Sequence, residues 1–333
     1  MEDFIKGGSM AGIEKKITVP IVLITGANGL IGSYTTLLFE SLGYHVVPLD
    51  VMPRSKDLSL LPVRTPTNLI DVTDYTAFRD ICRKEKITHI VHLAQPERVE
   101  EPGVLNFCLK AMHNILETAR EMNISRVVFA SSGAVYGPLR KSDRTPIKED
   151  DPVSIYPTFL YRSVKILGEW LGDFYAQHHK IGFTALRFAT VYGPGQAEGG
   201  SSFGAAIKHG ILGRECRVYF VRVPDDLIFV KDVARAVQLA CFREQPSSRV
   251  YNIASGKPYF EEDLERAMRR QLPGVSFTIT KHPESVTVGQ YRQRDILDVT
   301  RVRNELGFVP EVDLESGIAA IAEWVKKERN HLS

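Results

Sequence analysis

From residue 17 onward, short apolar runs alternate with longer amphipathic segments, and this alternation limits the possible folds more than any other feature of the chain. The short runs predict strands that are buried on both faces, and the longer segments predict helices that connect parallel strands. Repeated βα units of this kind predict an α/β protein with a doubly wound parallel sheet. The predicted strands are Ile21–Thr25, His45–Leu49, Ile90–Leu93, Val127–Ala130 and Thr184–Phe188, and the predicted helices are Ser33–Leu42, Tyr75–Glu85, Leu105–Met122 and Tyr161–His178.

The C-terminal part of the chain is less regular and predicts a smaller mixed lobe. Glycine and proline accumulate after Tyr192, an apolar run near residue 227 precedes a helix from Asp232, and Val250–Ile253 has the composition of a further strand. The predicted regions are a flexible N-terminal arm or tag at residues 1–16, the doubly wound domain at 17–191 with added strands near 227–231 and 249–254, and a substrate-binding lobe at 192–333 that interleaves with that domain.

Composition and charge favour a protein that acts on small molecules. The net charge of the 333 residues is +2 with both signs interspersed, which disfavours nucleic acid and anionic membranes as partners. No apolar run reaches the ~20 residues of a membrane span, and the N-terminus has no signal-peptide core. The cysteines lack paired spacing, which disfavours a metal site or disulfides and favours a cytoplasmic location; they are Cys82, Cys108, Cys216 and Cys241.

A glycine-rich turn, Thr25-Gly-Ala-Asn-Gly-Leu-Ile-Gly32, follows the first predicted strand and opens the first predicted helix. Such a turn lets the backbone approach a pyrophosphate, and Asp50 ends the second strand where a carboxylate accepts hydrogen bonds from ribose hydroxyls. Because this carboxylate repels a 2′-phosphate, NAD is favoured over NADP, with Arg54 as a charge that could reverse the preference. The cofactor contacts predicted here are Gly26, Asn28, Gly29, Leu30, Ile31, Gly32 and Asp50.

Tyr161 and Lys165 are four residues apart in a predicted helix, so their side chains share one face. A lysine ammonium beside a tyrosine stabilises the phenolate and lowers the pKa of the phenol from its usual value near ~10 toward neutral pH. Tyr161 is therefore a candidate general acid or base. An exposed surface pair has the same spacing, so the interpretation depends on the rest of the chain.

With the glycine turn and this pair in one chain, the sequence resembles the extended short-chain dehydrogenase/reductase family, in its NAD-dependent epimerase/dehydratase group. The resemblance runs from about Ile17 to Lys326, and further motifs follow in the order that the family has them. They are Asp71-Val72, His92-Leu-Ala94, Ser131-Ser-Gly-Ala-Val-Tyr-Gly137, Arg187 to Gly195, Phe229-Val-Lys-Asp232 and Tyr251-Asn-Ile-Ala-Ser-Gly256.

The resemblance implies a Rossmann domain and assigns roles to particular side chains. Ser132 would bind the substrate oxygen, Tyr161 would move the proton, and Lys165 would hold the nicotinamide ribose. It also implies a homodimer, formed through the helices predicted at 105–122 and 161–178. Further cofactor contacts would come from Asp71, Val72, Leu93, Ala94, Tyr161 and Lys165, and substrate contacts from Ser132, Gly133, Thr190, Arg292 and Arg294.

The chain departs from that family at positions that hold the substrate. Gly133 and Ala134 stand where 4,6-dehydratases carry an acidic pair, so water elimination lacks its acid and base. Cys108 and Thr190 stand where sugar-nucleotide epimerases usually carry asparagines, and the segment Val221-Arg-Val-Pro-Asp-Asp-Leu-Ile replaces their Gly-x-Gly and Arg-Asp pattern. Weaker binding of a nucleoside diphosphate is therefore expected. An arginine fork in the C-terminal lobe would suit an anionic substrate.

Two NAD-dependent oxidoreductase functions remain. In the first, a dehydrogenase oxidises a secondary alcohol of a small polyol, sugar acid or hydroxy acid and releases NADH. In the second, an epimerase oxidises a sugar, the keto intermediate rotates to present its other face, and the same NADH returns the hydride. A non-catalytic NAD-binding sensor is disfavoured because Ser132, Tyr161 and Lys165 are all present.

Overall fold

The computed structural model describes residues 19–96, 101, 103–137, 146–153, 160–196, 203–220, 224–244, 246–281 and 296–332. The arm predicted at residues 1–16 lies outside these ranges, as do Arg292 and Arg294. None of the helices in the described ranges is both long enough and apolar enough to cross a membrane.

Strands and helices alternate through the first half of the chain, as the sequence predicts. The strands are β1 (Ile21–Thr25), β2 (His45–Asp50), β3 (Asn68–Leu69), β4 (His89–His92), β5 (Arg126–Ser132), β6 (Gly182–Phe188), β7 (Thr190–Tyr192), β8 (Cys216–Phe220), β9 (Leu227–Phe229), β10 (Val250–Ile253) and β11 (Phe277–Lys281). The helices are α1 (Leu30–Ser41), α2 (Tyr75–Lys84), α3 (Gly103–Met122), α4 (Leu160–His179), α5 (Phe203–Ile211), α6 (Val230–Phe242), α7 (Glu261–Gln271), α8 (Thr300–Leu306) and α9 (Leu314–Leu332).

The main sheet has seven parallel strands in the order β10-β6-β5-β4-β1-β2-β3. The chain leaves β1 toward β2 on one side and returns to β4 on the other, so the strand order reverses beside β1. A crevice opens at the carboxyl ends of the strands where the order reverses, and ligands bind there in open α/β sheets. The predicted doubly wound sheet is therefore confirmed.

Both faces of this sheet are buried because successive strand residues point to opposite sides. On one side Val22 and Ile24 pack against the apolar faces of α1 and α6. On the other side Leu23 packs in a second core with residues of α2 and α3. The continuous apolar runs in the sequence follow from this double coverage.

Helix α4 approaches the sheet closely because glycine stands at two of its contact positions. A β-carbon on Gly168 would lie 2.4 Å from the ring of Phe129, and one on Gly172 would lie 2.0 Å from the ring of Phe183. Both rings belong to the core between the sheet and α3 and α4. These glycines set the depth at which α4 carries its side chains toward β5.

The smaller lobe is built around a core of its own, in which α5, α7 and α9 pack on the parallel pair β8 and β11. Strand β10 joins the edge of the main sheet beside β6, as predicted for the segment near 249–254. The prediction for 227–231 is wrong, because β9 pairs with β7 in a separate two-stranded sheet. All three residues of β9 are buried, and an apolar run does not specify its partner strand.

Candidate active site

The glycine turn lies at the carboxyl end of β1, against the segment that follows β4. Gly26 has φ +68°, and a β-carbon there would lie 2.7 Å from the backbone nitrogen of Ala94. A β-carbon on Gly32 would lie 2.0 Å from the carbonyl oxygen of Gly26. Only glycine fits these two positions, because the backbone on each side is already in contact.

The N-terminus of α1 is open toward this turn. Gly29 is the N-cap, and no side chain in the described part of the chain caps the helix. The first amide groups of a helix without a cap are available to an anionic ligand, and the helix dipole favours negative charge there. Leu30 and Ile31 begin the helix at this point and place their amides beside the turn.

Asp50 lies beside the same turn, at the end of β2. Its carboxylate accepts hydrogen bonds from the backbone amides of Asn28 at 2.9 Å, Val51 at 2.8 Å and Met52 at 3.1 Å. Asn28 in turn donates from its side chain to the carbonyl of Met52 at 2.6 Å and accepts from the hydroxyl of Thr67 at 2.8 Å. These bonds hold the carboxylate in a fixed place next to the helix N-terminus.

Two predicted pairs of cofactor residues lie along the same edge of the sheet. Leu93 donates its amide to the carbonyl of Thr25 at 3.2 Å, and the amide of Ala94 reaches the Thr25 hydroxyl at 3.3 Å. Asp71 is exposed and accepts from the amide of Thr73 at 2.8 Å, while Val72 is buried. The carboxyl ends of β1, β2, β3 and β4 therefore bring these residues to one side of the molecule.

Lys165 is buried beneath Tyr161. Its ammonium donates to the carbonyl oxygen of Ala130 at 2.8 Å and lies 5.4 Å from the centre of the Tyr161 ring and 5.3 Å from that of Phe129. Burial lowers the pKa of Lys165 to about 8, and electrostatic interactions with Cys108 and Glu169 oppose that shift. The predicted helix face is confirmed for this pair, and the surface alternative is wrong because Lys165 is only 5% exposed.

Ser132 ends β5, two residues beyond Ala130, whose carbonyl oxygen binds Lys165. Its hydroxyl accepts from the amide of Ala134 at 3.1 Å and so caps a short 3-10 helix at Gly133–Tyr136. A serine hydroxyl that accepts here can still donate its own proton to a ligand. The register pairs Ser132 with Phe188, which places Thr190 just beyond the end of the neighbouring strand.

Asp225 is a residue near the site whose contact with Thr190 the sequence did not predict. Its side chain, 3% exposed, accepts from the Thr190 hydroxyl at 3.0 Å. The sequence showed an Asp-Asp pair in an altered segment, but the contact arises only because β7 and β9 pair. Predicted residues Arg292 and Arg294 lie outside the described residues.

Two other titratable side chains, those of His92 and Cys108, interact with Lys165. Burial, followed by the charge of Lys165, lowers the pKa of His92 to about 3, and the ring shares a 2.7 Å hydrogen bond with the Thr25 hydroxyl. Burial raises the pKa of the Cys108 thiol, whose sulfur accepts from Gln95 at 3.8 Å. Burial also lowers the pKa of Arg54, and the nearby Glu40 carboxylate opposes that shift.

Comparison with known proteins supports the family assignment that the sequence motifs indicate. The model of the NAD dependent epimerase/dehydratase family matches residues 22–254. The chain belongs to this family. It is accordingly an NAD-dependent enzyme of the extended short-chain dehydrogenase/reductase type, and the predicted cofactor is confirmed.

Individual relatives of the family are distant in sequence. UDP-glucuronate 4-epimerase 4 of Arabidopsis thaliana is 26% identical, and the alignment covers 91% of this chain and 74% of that protein. A structure of UDP-glucose 4-epimerase from Thermotoga maritima with UDP-glucose has a TM-score of 0.80 at 24% identity and covers 92% of this chain and 99% of its own. MoeE5 with UDP-glucose and NAD has a TM-score of 0.76 at 27% identity, with coverage of 94% and 99%.

The residues of the turn fit the cofactor of the family. The close backbone contacts at Gly26 and Gly32 leave no side chain over the uncapped start of α1. The fixed carboxylate of Asp50 lies within hydrogen-bond distance of the amide of Asn28, on the same turn. A pyrophosphate on the helix and a ribose on the carboxylate are the groups that such an arrangement accepts.

Proposed function

We propose that this enzyme oxidises a secondary alcohol of a small carbohydrate-like or hydroxy-acid substrate, with Tyr161 as general base and Lys165 and Ser132 as its partners. The observation that carries the proposal is the buried ammonium of Lys165, which lies under the Tyr161 ring and on the carbonyl of Ala130, two residues before Ser132. When bound, the nicotinamide supplies the hydride acceptor.

The proposed roles follow from charge and position. The Tyr161 phenolate takes the proton of the substrate hydroxyl and becomes a phenol, and the buried ammonium of Lys165 stabilises that phenolate before the transfer. The Ser132 hydroxyl donates to the substrate oxygen and holds it toward Tyr161. In the reverse direction the same phenol returns the proton to a ketone.

We propose that NAD is held by three groups of residues. Backbone amides at the start of α1 bind the pyrophosphate, Asp50 binds the adenosine ribose, and Lys165 binds the nicotinamide ribose. Asp71 and Val72 flank the adenine, and Leu93 and Ala94 line the path between the two ends. The shared position of these residues at one edge of the sheet supports this assignment.

A small substrate is favoured over a nucleotide sugar by the pair Thr190 and Asp225. The Thr190 hydroxyl already donates to the buried side chain of Asp225, so it is not available to donate to a nucleotide sugar. Epimerisation of a nucleotide sugar is the second candidate, because the relatives with solved ligands carry UDP-glucose.

Turnover with a panel of polyols, sugar acids, hydroxy acids and UDP-sugars distinguishes the two. A dehydrogenase accumulates NADH, measured by its absorbance, whereas an epimerase interconverts isomers, measured by chromatography, without accumulating NADH.

We expect Tyr161→Phe to lower kcat at least about 100-fold and to change the Kd for NAD less than about twofold. Tyr175→Phe is the matched control on the same helix, since its hydroxyl bonds Glu117 instead. Full turnover by Tyr161→Phe would show that the proton-transfer role is wrong.

We propose that the molecule is a homodimer in which α3 and α4 of each subunit pack against the same helices of the other. Three large apolar side chains of these helices are exposed, with Leu109 at 38%, Trp170 at 61% and Phe174 at 52%. A contiguous apolar face on two adjacent helices is typical of a subunit interface.

We propose a cytoplasmic location. The four cysteines are free thiols, and three of them, Cys82, Cys216 and Cys241, are buried. A chain with this many unpaired thiols is suited to a reducing compartment. Cell fractionation of the expressed protein tests the location, and recovery from an oxidising compartment would contradict it.

A further inference from the structure

We propose that Glu169 is a positioning residue, whose carboxylate fixes the end of β5 that carries Ser132 against the turn of α4 that carries Lys165. The inference rests on the function proposed above. It concerns a residue that neither the motifs nor the comparisons assign to the site.

One carboxylate joins three elements of the fold. Glu169 lies one helical turn after Lys165 on α4 and is 6% exposed. Its Oε1 accepts from the hydroxyl of Ser131 on β5 and from Nε of Arg187 on β6 at 2.9 Å. Its Oε2 accepts from Nη2 of Arg187 at 2.7 Å. Ser131 and Arg187 are register partners across the two strands, so the carboxylate spans a single rung of the sheet.

These bonds set the geometry of the proposed catalytic groups. Ser131 precedes Ser132, and Lys165 contacts the carbonyl of Ala130, so β5 is held to α4 at two adjacent residues just before Ser132. Rates of positioned reactions fall steeply when reacting groups are misplaced by about 1 Å. A second anchor at Ser131 therefore controls how far Ser132 stands from Tyr161.

A purely structural role would not require an ion pair at this place. The side chains of Arg187 and Glu169 are 6% and 7% exposed, and a buried ion pair is often no more stabilising than apolar residues of similar volume. Arg187 also donates to the hydroxyl of Tyr136 at 2.8 Å and to the carbonyl of Glu149 at 3.0 Å. The cation is thus held by these contacts as well, and the carboxylate binds Ser131 in addition to its two bonds from Arg187.

Glu169 also acts on Lys165 through its charge. The groups that act on Lys165 in the described structure are His92 on β4, Cys108 on α3, and Tyr161 and Glu169 on α4. The imidazole of His92 is neutral because burial holds its pKa near 3, and burial raises the pKa of the Cys108 thiol. The carboxylate of Glu169 raises the pKa of Lys165 and so preserves the ammonium that the phenolate needs.

Glu169→Gln tests this inference because it keeps the shape and removes the charge. We expect kcat to fall about 10- to 100-fold with the KM for NAD within about twofold, and the alkaline limb of the pH profile to move to lower pH. In cofactor-free protein labelled with ¹³C at the lysine side chains, we expect the pKa of Lys165 to fall by about one unit or more. The variant Lys165→Met assigns the resonance.

Glu305→Gln is the matched control. Glu305 is a partly buried carboxylate that accepts from the hydroxyls of Tyr251 at 2.7 Å and Ser248 at 2.9 Å, in α8 away from Lys165. We expect Glu305→Gln to unfold at a lower urea concentration than the native protein, with kcat and the pKa of Lys165 unchanged. If Glu169→Gln does not fold, Glu169→Asp replaces it. The shorter side chain withdraws the carboxylate from its partners, so kcat should fall, but it keeps the charge, so the pKa of Lys165 should change little.

An unchanged kcat and an unchanged Lys165 pKa in folded Glu169→Gln would overturn the inference, as would an unchanged kcat in Glu169→Asp where that variant is used. The NMR titration needs neither substrate nor NAD. A failure of this inference is therefore distinguishable from a failure of the proposed hydride transfer. If the proposed hydride transfer is wrong, Tyr161→Phe keeps full activity, while the pKa of Lys165 still falls in Glu169→Gln.

Discussion

At the scale of single residues, Gly29 and Gly32 stand in the same turn for different physical reasons. A β-carbon on Gly32 would lie 2.0 Å from the carbonyl oxygen of Gly26, whereas one on Gly29 would lie 3.4 Å from the same oxygen. The first distance is a clash with backbone, and the second is an ordinary contact. Gly32 is thus needed by the protein itself, whereas the fold leaves room for a β-carbon on Gly29, where we propose that the cofactor approaches the helix.

We therefore expect Gly32→Ala to lower the free energy of unfolding by about 2–3 kcal/mol and to abolish NAD binding. Gly29→Ala should keep the free energy of unfolding within about 0.5 kcal/mol and weaken NAD binding at least about 10-fold. Urea denaturation and calorimetric titration with NAD measure the two quantities. Normal NAD affinity in Gly29→Ala would contradict the placement of the pyrophosphate on α1.

At the scale of elements, the depth of α4 against the sheet is set by Gly168, which lies between Lys165 and Glu169. A β-carbon there meets the buried ring of Phe129 at 2.4 Å, and that ring already lies under the ammonium of Lys165. We expect Gly168→Ala to lower the free energy of unfolding by about 1–3 kcal/mol, because a packed core does not accept an added methyl group.

The matched control for this helix is Gly103→Ala in α3, where a β-carbon meets nothing within 4 Å. That substitution should leave the urea midpoint unchanged or raise it slightly, since alanine favours the helix by up to about 1 kcal/mol. Equal midpoints for Gly168→Ala and Gly103→Ala would mean that α4 is free to move away from β5.

At the scale of the whole molecule, the exposed apolar face of α3 and α4 determines the proposed assembly. Replacing Trp170 and Phe174 by glutamate puts two charges into that interface, where they would be desolvated without partners. We expect sedimentation velocity to show a dimer for the native protein and a monomer for this double variant. Phe260→Glu is the control, because Phe260 is 42% exposed at the start of α7 in the other lobe. A native protein that is already monomeric at micromolar concentration would contradict the proposal.

Much of the fold was predictable because it depends on local sequence patterns. The apolar runs at Ile21 and Val127 and the amphipathic segments between them specify strands and helices of a parallel sheet, and the observed ends differ from the predicted ones by at most three residues. Helical spacing placed Tyr161 and Lys165 together, and the glycine spacing placed the turn at the start of α1. Each of these features depends on residues within a few positions of one another.

The tertiary structure decided what depends on distant partners. An apolar run at Leu227 showed a strand, but only the fold paired it with β7 and so brought Asp225 to Thr190. A glutamate in α4 has the same local pattern whether it faces solvent or the core, and only the approach of α4 to the sheet joined Glu169 to Ser131 and Arg187. The sequence by itself therefore determined the elements and the cofactor turn, whereas long-range packing determined which charges and hydroxyls face one another, because local periodicity carries no information on contacts across the chain.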